Sequence, residues 1–404
     1  MITQRLEKPG VVVLGSDFKA LGVVRSLGRR GIPAVVIDNV PRAAWYSRYV
    51  ERRFAWHQAM EGEAFLNFLL AVGKSSRLER WILFPVQDDA VEFVARHSQQ
   101  LSAVYQLLTQ NWEVVQWAND KRMTHHLAES AGVPYPRTWY PANEEQLDEL
   151  ECAFPVIIKP AISIRLQNAL RLKALPAQNK EELVTQYRLA AAIIDPGEIM
   201  VQEIIPGGGQ EQYSVATFCQ DGQMLMSMSA RRIRQYPIDY GLGSSFVEAV
   251  EVPPLFDLAE RLLSCLGASG MIEVEFKHDR RDDLYKLLDI NIRPWGWHTL
   301  CMACGLDFPY IHYQDLVGEP VAISTPEYGL RWIRVLTDIP AGIQEILAGT
   351  TTPLDFLRSL AGKKVYSVLD WRDPLPVVGD FSSAFMRGLR ARHKARDRQD
   401  RLKL

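Results

Sequence analysis

Alternating hydrophobic and polar residues predict a hairpin near residue 280. In the stretch 271–276, MIEVEF, acidic side chains alternate with apolar ones, and the stretch 287–293, LLDINIR, shows the same alternation. A period of two is typical of a strand whose two faces differ. The charged sequence DRRDD lies between the two stretches and is typical of a turn. The pattern therefore predicts two antiparallel strands.

The register of this hairpin predicts one apolar face and one face rich in carboxylates. A turn near residue 281 gives four opposed pairs: Glu275 with Asp289, Glu273 with Asn291, Val274 with Ile290, and Phe276 with Leu288. Like charges directly opposite each other destabilise a sheet unless they are neutralised. A divalent cation would neutralise them, since carboxylate and amide oxygens are ligands that Mg²⁺ prefers. A solvated sheet face is the alternative interpretation, which the following Arg293 and Trp-Gly-Trp sequence disfavour.

The N-terminal part predicts a βαβ unit of the doubly wound type. Apolar runs at 11–14, 34–37 and 81–84 are typical of buried strands, and a helical pattern covers 19–30. The glycine-containing loop 15–22 matches neither a dinucleotide-binding nor a Walker A pattern, which disfavours a nicotinamide enzyme. Four polar residues near strand ends are candidates for holding an acceptor substrate, with turn and capping roles as the alternative: Asp17, Arg25, Gln87 and Asp88.

Two lysines stand in positions that favour an anionic partner. Lys121 begins a predicted helix that runs to Ser130, and its charge opposes the helix dipole there. Lys159 ends the apolar sequence FPVIIKP, where an unpaired ammonium would be costly to bury. Further along, Arg231, Arg232 and Arg234 favour anion binding over a solvated strand edge, because a Gly/Ser loop follows them.

Composition limits the classes of function. The 404 residues carry a formal net charge of −2 and are 47% hydrophobic, which suits more than one domain and argues against a specific nucleic-acid partner. The N-terminus lacks the apolar segment of a signal peptide, and five cysteines suit a reducing compartment, so we expect a cytoplasmic protein. Cys301 and Cys304 are interpreted as a structural pair. Residues 387–404 predict a basic tail that could touch an acidic surface.

The hairpin motif resembles the metal-binding signature of the ATP-grasp superfamily. The resemblance rests on Glu275 followed by Asp289-x-Asn291-x-Arg293, where Asp289 replaces the commoner Glu, and on NIRPWGWH, which is similar to the carboxylate–amine ligase branch. FPVIIKP and the Lys121 helix followed by Gly-Val-Pro resemble the family's phosphate-binding elements. The segment 160–175 departs from the family, because it contains no glycine and offers Arg165, Arg171 and Lys173 instead.

The resemblance implies a fold, cofactors and a set of site residues. It implies an α/β ATP-grasp fold with an α+β lid and a Rossmann-like N-terminal domain, and ATP with Mg²⁺ or Mn²⁺ as cofactors. The implied residues are Glu275, Asp289 and Asn291 for the metal, Lys121 and Lys159 for phosphates, Glu203 and Ile205 at the adenine hinge, Glu211 or Gln212 for ribose, and Arg293 and Arg232 for catalysis.

The implied domains are residues 1–117, 118–325 and a C-terminal extension, 326–404. Within 118–325, a lid is expected at about 120–200 and a metal-binding subdomain at about 201–325. The implied reaction is ATP-dependent ligation of a small carboxylate to an amine, such as an amino acid, through an acyl phosphate. A carboxylase or kinase of the same superfamily, a non-catalytic nucleotide-binding module and a nicotinamide oxidoreductase are the alternatives. A homodimer is compatible with the sequence.

Overall fold

The computed structural model describes residues 8–162, 174–239 and 243–386. The chain forms two compact units. The first comprises residues 1–109, 313–320 and 366–404, and the second comprises residues 110–312 and 321–365. The domain boundaries expected at residues 118 and 326 stay predictions.

The first unit is built on a parallel sheet with the strand order β3-β2-β1-β4-β5. Its strands are β1 Val11–Leu14, β2 Ala34–Asp38, β3 Val50–Ala55, β4 Ile82–Pro85 and β5 Gln106–Leu107, and its helices are α1 Phe18–Gly28, α2 Gly62–Ser75, α3 Asp88–Arg96 and α4 Ser98–Leu101. All residues of β1 and β2 are buried, as expected for strands covered on both faces. The predicted βαβ unit is confirmed.

The second unit contains two antiparallel sheets. Its helices, with one that continues into the first unit, are α5 Trp112–Asn119, α6 Lys121–Ser130, α7 Lys180–Ala191, α8 Pro253–Leu266, α9 His298–Ala303, α10 Phe308–Leu316, α11 Val335–Leu347 and α12 Pro353–Ser359. The smaller sheet has the order β6-β9-β7-β8, from β6 Thr138–Trp139, β7 Val156–Pro160, β8 Leu175–Ala177 and β9 Ile199–Glu203.

The larger sheet carries the predicted hairpin at one edge. Its order is β14-β13-β10-β11-β12-β15-β16, from β10 Gln212–Gln220, β11 Gln223–Tyr236, β12 Gly243–Ala249, β13 Gly270–Asp279, β14 Leu284–Asn291, β15 Arg331–Ile333 and β16 Lys364–Tyr366. The apolar residues of α8 pack on one face of β10, β13 and β14 and form a core there. This packing leaves the carboxylate-bearing positions of the hairpin outside that core.

Among the described helices, none combines the length and the apolar character that a membrane span requires.

Candidate active site

The hairpin β13–β14 has the predicted polar register. Glu275 pairs with Asp289 and Glu273 with Asn291, which confirms the two polar pairs. The expected pairing of Phe276 with Leu288 is wrong, because a bulge between residues 275 and 276 brings Leu287 opposite Phe276 instead. A bulge shifts one strand by a residue and re-aims the side chains beside it.

A buried carboxylate lies at the centre of the polar face. The Asn291 amide donates to Glu273 Oε2 and to Glu275 Oε1, at 3.0 Å each, and Trp297 Nε1 donates to Glu273 Oε1 at 2.8 Å. Burial raises the pKa of Glu273, and the negative charge of Glu275 raises it further, while Arg293 acts in the opposite direction. The buried surroundings therefore disfavour a negative charge on Glu273.

Cations from neighbouring elements approach the two outer carboxylates. Lys121 Nζ, at the start of α6, lies 2.9 Å from Asp289 Oδ1. Arg232 Nη2, on β11, lies 3.3 Å from Glu275 Oε2. Both cationic side chains are largely buried, with 12% of each exposed. The hairpin thus attracts positive charge from two directions, as predicted for a face that binds a cation or a cation-bridged phosphate.

The donor chemistry of this face fits a magnesium-type ion. Among the described residues, no three His, Cys, Asp or Glu side chains converge as a complete metal cluster. Mg²⁺ is usually bound through one or two carboxylates together with substrate phosphates, so it does not need such a cluster. Glu275 and Asp289 occupy opposed register positions, and Asn291 lies on the same face, within hydrogen-bonding distance of Glu275. These three residues would hold the ion.

The three arginines predicted for anion binding have different environments. Arg232 donates to Ser244 Oγ and to Gln235 Oε1 as well as to Glu275, which fixes its guanidinium at the site. Arg231 pairs with Glu248 at 3.0 Å. Arg234 is buried and bidentate to Asp338, at 2.9 and 2.8 Å. Shifts in the pairing of β11 with β12 occur on both sides of Arg234, so simple alternation does not hold there.

The two predicted phosphate-binding lysines both affect the pKa of one histidine. Lys159 Nζ donates to Gln202 Oε1 at 2.9 Å, and the Lys121 backbone N donates to the Ala161 carbonyl at 3.0 Å. Burial lowers the pKa of His125 to about 3, and the charges of Lys121 and then Lys159 contribute to this shift. Both ammonium groups therefore act on the same side chain of α6, and their role in phosphate binding stays a prediction.

The predicted adenine hinge is held by charged side chains of the hairpin. Glu203, at the end of β9, accepts from Arg281 at 3.0 Å and lies 3.4 Å from Lys286 Nζ. Lys277 Nζ donates to the carbonyls of Ile205 and Gly207, at 2.8 and 2.7 Å. The Glu203 side chain thus has a structural function, whereas Ile205 presents backbone groups in a defined position.

The two ribose candidates differ in their contacts. Glu211 lies 2.5 Å from Arg280 Nη2 and 3.5 Å from His278 Nδ1. Gln212 lines a small pocket, and its buried Oε1 has no hydrogen-bond partner among the described residues. The other residues that line the pocket are Ser214, Ala230, Arg232, Ser244, Val247 and Trp297. Gln212 is therefore the better placed of the two to bind a hydroxyl group.

Sequence reasoning missed several residues that shape the site. Glu273 was placed on the polar face but was not given a role, although it is the most buried carboxylate there. Trp297 and Lys277 were not selected for hydrogen bonding. The Trp-Gly-Trp sequence was a usable signal for Trp297, because a buried indole N–H requires an acceptor. Lys277 lies two residues after Glu275 on the same strand, in a position that alternation places on the polar face.

Two of the four acceptor candidates of the first unit, Asp17 and Arg25, have structural partners. Asp17 caps α1 by accepting from the backbone N–H groups of residues 19 and 20. Arg25 is buried and donates to Asp373 at 2.9 Å. Gln87 is the N-terminal flanking residue of α3, and Asp88 begins that helix. The capping alternative therefore holds for Asp17, and Arg25 connects α1 to the C-terminal part of the chain.

The structure does not describe every feature that the sequence predicts. The glycine-free segment with Arg165, Arg171 and Lys173 and the basic tail at 387–404 lie outside the described residues.

Cys301 and Cys304 are buried free thiols, and burial raises the pKa of both. This agrees with their interpretation as a structural pair.

Comparisons with known proteins show which folds and sequences this chain resembles. Residues 195–337, which include the hairpin, match a family model described as "ATP-grasp in the biosynthetic pathway with Ter operon". Among solved structures, an ADP complex of N5-carboxyaminoimidazole ribonucleotide synthetase has a TM-score of 0.63 at 14% identity and covers 85% of both chains. An L-amino acid ligase from Bacillus licheniformis has a TM-score of 0.59 at 13% identity, covering 76% of this chain and 74% of that one. The chain therefore has the ATP-grasp fold.

Two proteins with similar sequences indicate a more specific class of protein within this fold. A D-aspartate ligase from Enterococcus faecium is 24% identical over 338 residues, which is 78% of each chain. A D-alanine–D-alanine ligase from Anaplasma marginale is 27% identical over 214 residues, which is 49% of this chain and 60% of that protein. The chain is thus similar in sequence to carboxylate–amine ligases, and the similarity supports an enzyme of the ligase type.

Proposed function

We propose that this chain joins a small carboxylate to an amine in an ATP-dependent reaction that passes through an acyl phosphate. The observation that carries the proposal is the hairpin face on which Glu275 and Asp289 oppose each other and are met by Arg232 and Lys121. Such a face can hold a cation-bridged polyphosphate beside fixed positive charges. Because similar proteins include a D-aspartate ligase and an L-amino acid ligase, amino acids are the first substrates to test for both roles.

Each site residue has a proposed task. Glu275, Asp289 and Asn291 hold Mg²⁺ or Mn²⁺, which when bound neutralises the phosphates of ATP. Lys121 and Lys159 bind those phosphates, the backbone at Ile205 and the end of β9 at Glu203 form the adenine hinge, and Gln212, with Glu211 beside it, binds ribose.

The two catalytic candidates are arginines. Arg232 and Arg293 stabilise the negative charge that develops when the carboxylate accepts the phosphoryl group and when the amine attacks the acyl phosphate. Positive charge that is already oriented in a water-poor site lowers the barrier without reorganisation at the moment of reaction. Of the two arginines, Arg232 is the stronger candidate, because its hydrogen bonds to Ser244 and Gln235 fix the position of its guanidinium group.

The test is a substrate-panel assay of ADP formation with ATP and Mg²⁺, in which amino acids and other carboxylates are crossed with amines. ADP that forms only when an acid and an amine are both present supports the proposal. ADP formation with bicarbonate, or with a single substrate that becomes phosphorylated, identifies a carboxylase or a kinase instead. Tight nucleotide binding without ADP formation across the panel identifies a non-catalytic binding module.

Cytoplasmic location and homodimerisation stay predictions.

A further inference from the structure

The side-chain amide of Asn291 is held in one orientation by two carboxylates. Asn291 Nδ2 donates to Glu273 Oε2 and to Glu275 Oε1, at 3.0 Å each. Glu273 and Asn291 oppose each other in the hairpin, and both are buried, with 3 and 6% exposed. A carboxylate oxygen accepts hydrogen bonds, and only the NH₂ end of an amide donates them. The nitrogen of Asn291 therefore faces the two carboxylates, and its oxygen Oδ1 points away from these hydrogen bonds.

Glu273 is itself fixed by donors from other elements. Trp297 Nε1 donates to Glu273 Oε1 at 2.8 Å, and the Ser214 hydroxyl also donates to this carboxyl group. Trp297 is buried, immediately precedes α9, and packs against Trp295 with 5.7 Å between the ring centroids. An indole N–H can donate but cannot accept. Oε1 of Glu273 is thus engaged by Trp297, and Oε2 is the oxygen that accepts from Asn291.

The orientation of Asn291 matters for a metal ion, because only one end of an amide can bind it. The carbonyl oxygen is a ligand for Mg²⁺ or Mn²⁺, whereas the NH₂ group is not. Asn291 is one of the three proposed metal ligands, and an unrestrained amide could present either end. Residues that orient a metal ligand from behind typically contribute about ten- to a hundredfold to the affinity for the metal.

We propose that Glu273 is a positioning residue, which together with Trp297 keeps Oδ1 of Asn291 turned so that it can bind the metal ion. Two hydrogen bonds in series, from Trp297 to Glu273 and from Asn291 to Glu273, determine which end of the amide is presented. Glu273 acts through Asn291 and does not bind the ion itself. This inference rests on the proposed function, because it concerns the same metal site.

The test measures binding of Mn²⁺ to the full-length protein, with Mn²⁺ alone and with Mn²⁺ plus ADP. Unbound Mn²⁺ is quantified by electron paramagnetic resonance, so the readout does not depend on turnover. E273Q is expected to weaken Mn²⁺ binding by about tenfold. The new amide must direct its oxygen to the Trp297 N–H and its NH₂ group to Asn291, so two donors meet there unless Asn291 turns its oxygen away from the ion.

A second substitution separates orientation from the loss of charge. In E273Q/W297F the indole N–H is absent, so the new amide can turn its oxygen toward Asn291. The double variant is therefore expected to bind Mn²⁺ to within about threefold of W297F, although it still lacks the carboxylate. An effect of charge alone would leave the double variant as weak as E273Q. Thermal unfolding shows whether each variant is folded.

E248Q is the matched control for removing a carboxylate from the same sheet. Glu248 lies on β12 and pairs with Arg231 and Arg331, at 3.0 and 2.9 Å. Its replacement is expected to leave the affinity for Mn²⁺ unchanged. In ADP formation, E273Q should raise the Mn²⁺ concentration needed for half-maximal rate by more than it lowers the rate at saturating Mn²⁺.

Three outcomes contradict the proposal. Wild-type Mn²⁺ affinity in E273Q would show that Glu273 does not orient Asn291, and would leave the proposed ligase function intact. Equal weakening in E273Q and E273Q/W297F would show that Glu273 acts by its charge or binds the ion directly. Absence of Mn²⁺ binding by the wild-type protein in both conditions would overturn the metal assignment itself, and this inference with it.

Discussion

The two ends of the hairpin β13–β14 differ in how their charges are balanced. At the turn, Asp279 is fully buried and accepts from Arg281 and from Lys286, at 2.5–3.1 Å. These bonds, with that of Arg281 the strongest, hold the pKa of Asp279 well below its usual range. At the other end, Glu273 is equally buried but accepts from the neutral groups of Asn291 and Trp297, and its pKa is raised.

This difference separates a structural network from the proposed binding site on the same two strands. A buried carboxylate that is fully paired with cations stabilises the fold, whereas one left beside another carboxylate costs stability until a ligand supplies positive charge. Perturbed pKa values in opposite directions therefore distinguish the roles of acidic residues that look alike in the sequence. Four predictions test this contrast.

The largest effect is expected for Asp289→Asn, at the binding end. Loss of this carboxylate removes a proposed metal ligand, so Mg²⁺-dependent ADP formation should fall by at least about a thousandfold. The fold should remain, because the amide oxygen can still accept from Lys121. Asp282→Asn is the matched control, since Asp282 pairs with Lys286 at 2.9 Å at the turn and should retain turnover. Wild-type activity in Asp289→Asn would exclude the metal assignment.

The next effect is expected for Asp279→Asn, at the turn. Removing one partner from a buried ionic network should lower the free energy of unfolding by about 3 kcal/mol. The pKa of Asp279 is lower in the folded than in the unfolded state, so its contribution is present above about pH 4 and is lost as the pH falls further. Denaturant unfolding between pH 3 and pH 7 measures it. Asp283→Asn, at an exposed position with φ of 58°, should change stability by less than about 0.5 kcal/mol.

A smaller effect concerns the lysines around the binding end. Lys159→Ala should weaken binding of a non-hydrolysable ATP analogue by about tenfold, and more than Lys121→Ala does. Lys121 is paired with Asp289, so its removal also frees a carboxylate for the metal ion, which offsets part of the loss. Lys159 contacts the neutral amide of Gln202. Isothermal titration compares the three proteins, and a wild-type affinity in Lys159→Ala would refute the assignment.

The smallest effect is expected for Glu273→Gln in the absence of metal. The pKa of Glu273 is higher in the folded than in the unfolded state, so its contribution to stability is present at low pH and is lost as the pH rises. The wild-type protein should therefore lose on the order of 1 kcal/mol of stability between pH 5 and pH 9 relative to the variant. Thermal unfolding in the presence of a chelator measures the two slopes. Parallel slopes would show that Glu273 is ionised throughout this range.

Much of the fold was predictable because local patterns were strong. Continuous apolar runs predicted β1, β2 and β4, and alternation predicted the hairpin and the pairing of Glu275 with Asp289. The bulge after Glu275 was not predictable, because one extra residue in a strand leaves no mark in the hydrophobic pattern. The same limitation applies to β11, where bulges separate Arg232 at the site from Arg234 in the core.

The partners of charged residues were the least predictable part of the site. Arg25 is bound to Asp373, which lies 348 residues away, and nothing in the sequence around either residue indicates this contact. Glu203 is predicted to contribute to the hinge, and its side chain pairs with Arg281 of the hairpin turn, which the sequence did not indicate. Such pairs depend on how distant elements pack, whereas capping and strand alternation depend on near neighbours.

The ammonium group of Lys277 connects the proposed metal site to the proposed nucleotide hinge. Lys277 lies two residues from Glu275 on β13, and it holds the loop carbonyls of Ile205 and Gly207. A ligand that displaces this part of β13 therefore also changes the geometry of the loop, and the reverse holds. By thermodynamic linkage, any factor by which the metal ion raises the affinity for the nucleotide equals the factor by which the nucleotide raises the affinity for the metal ion. We expect replacement of Lys277 by Met to weaken coupling between the proposed metal ligands and the loop, because it removes the hydrogen bonds to Ile205 and Gly207.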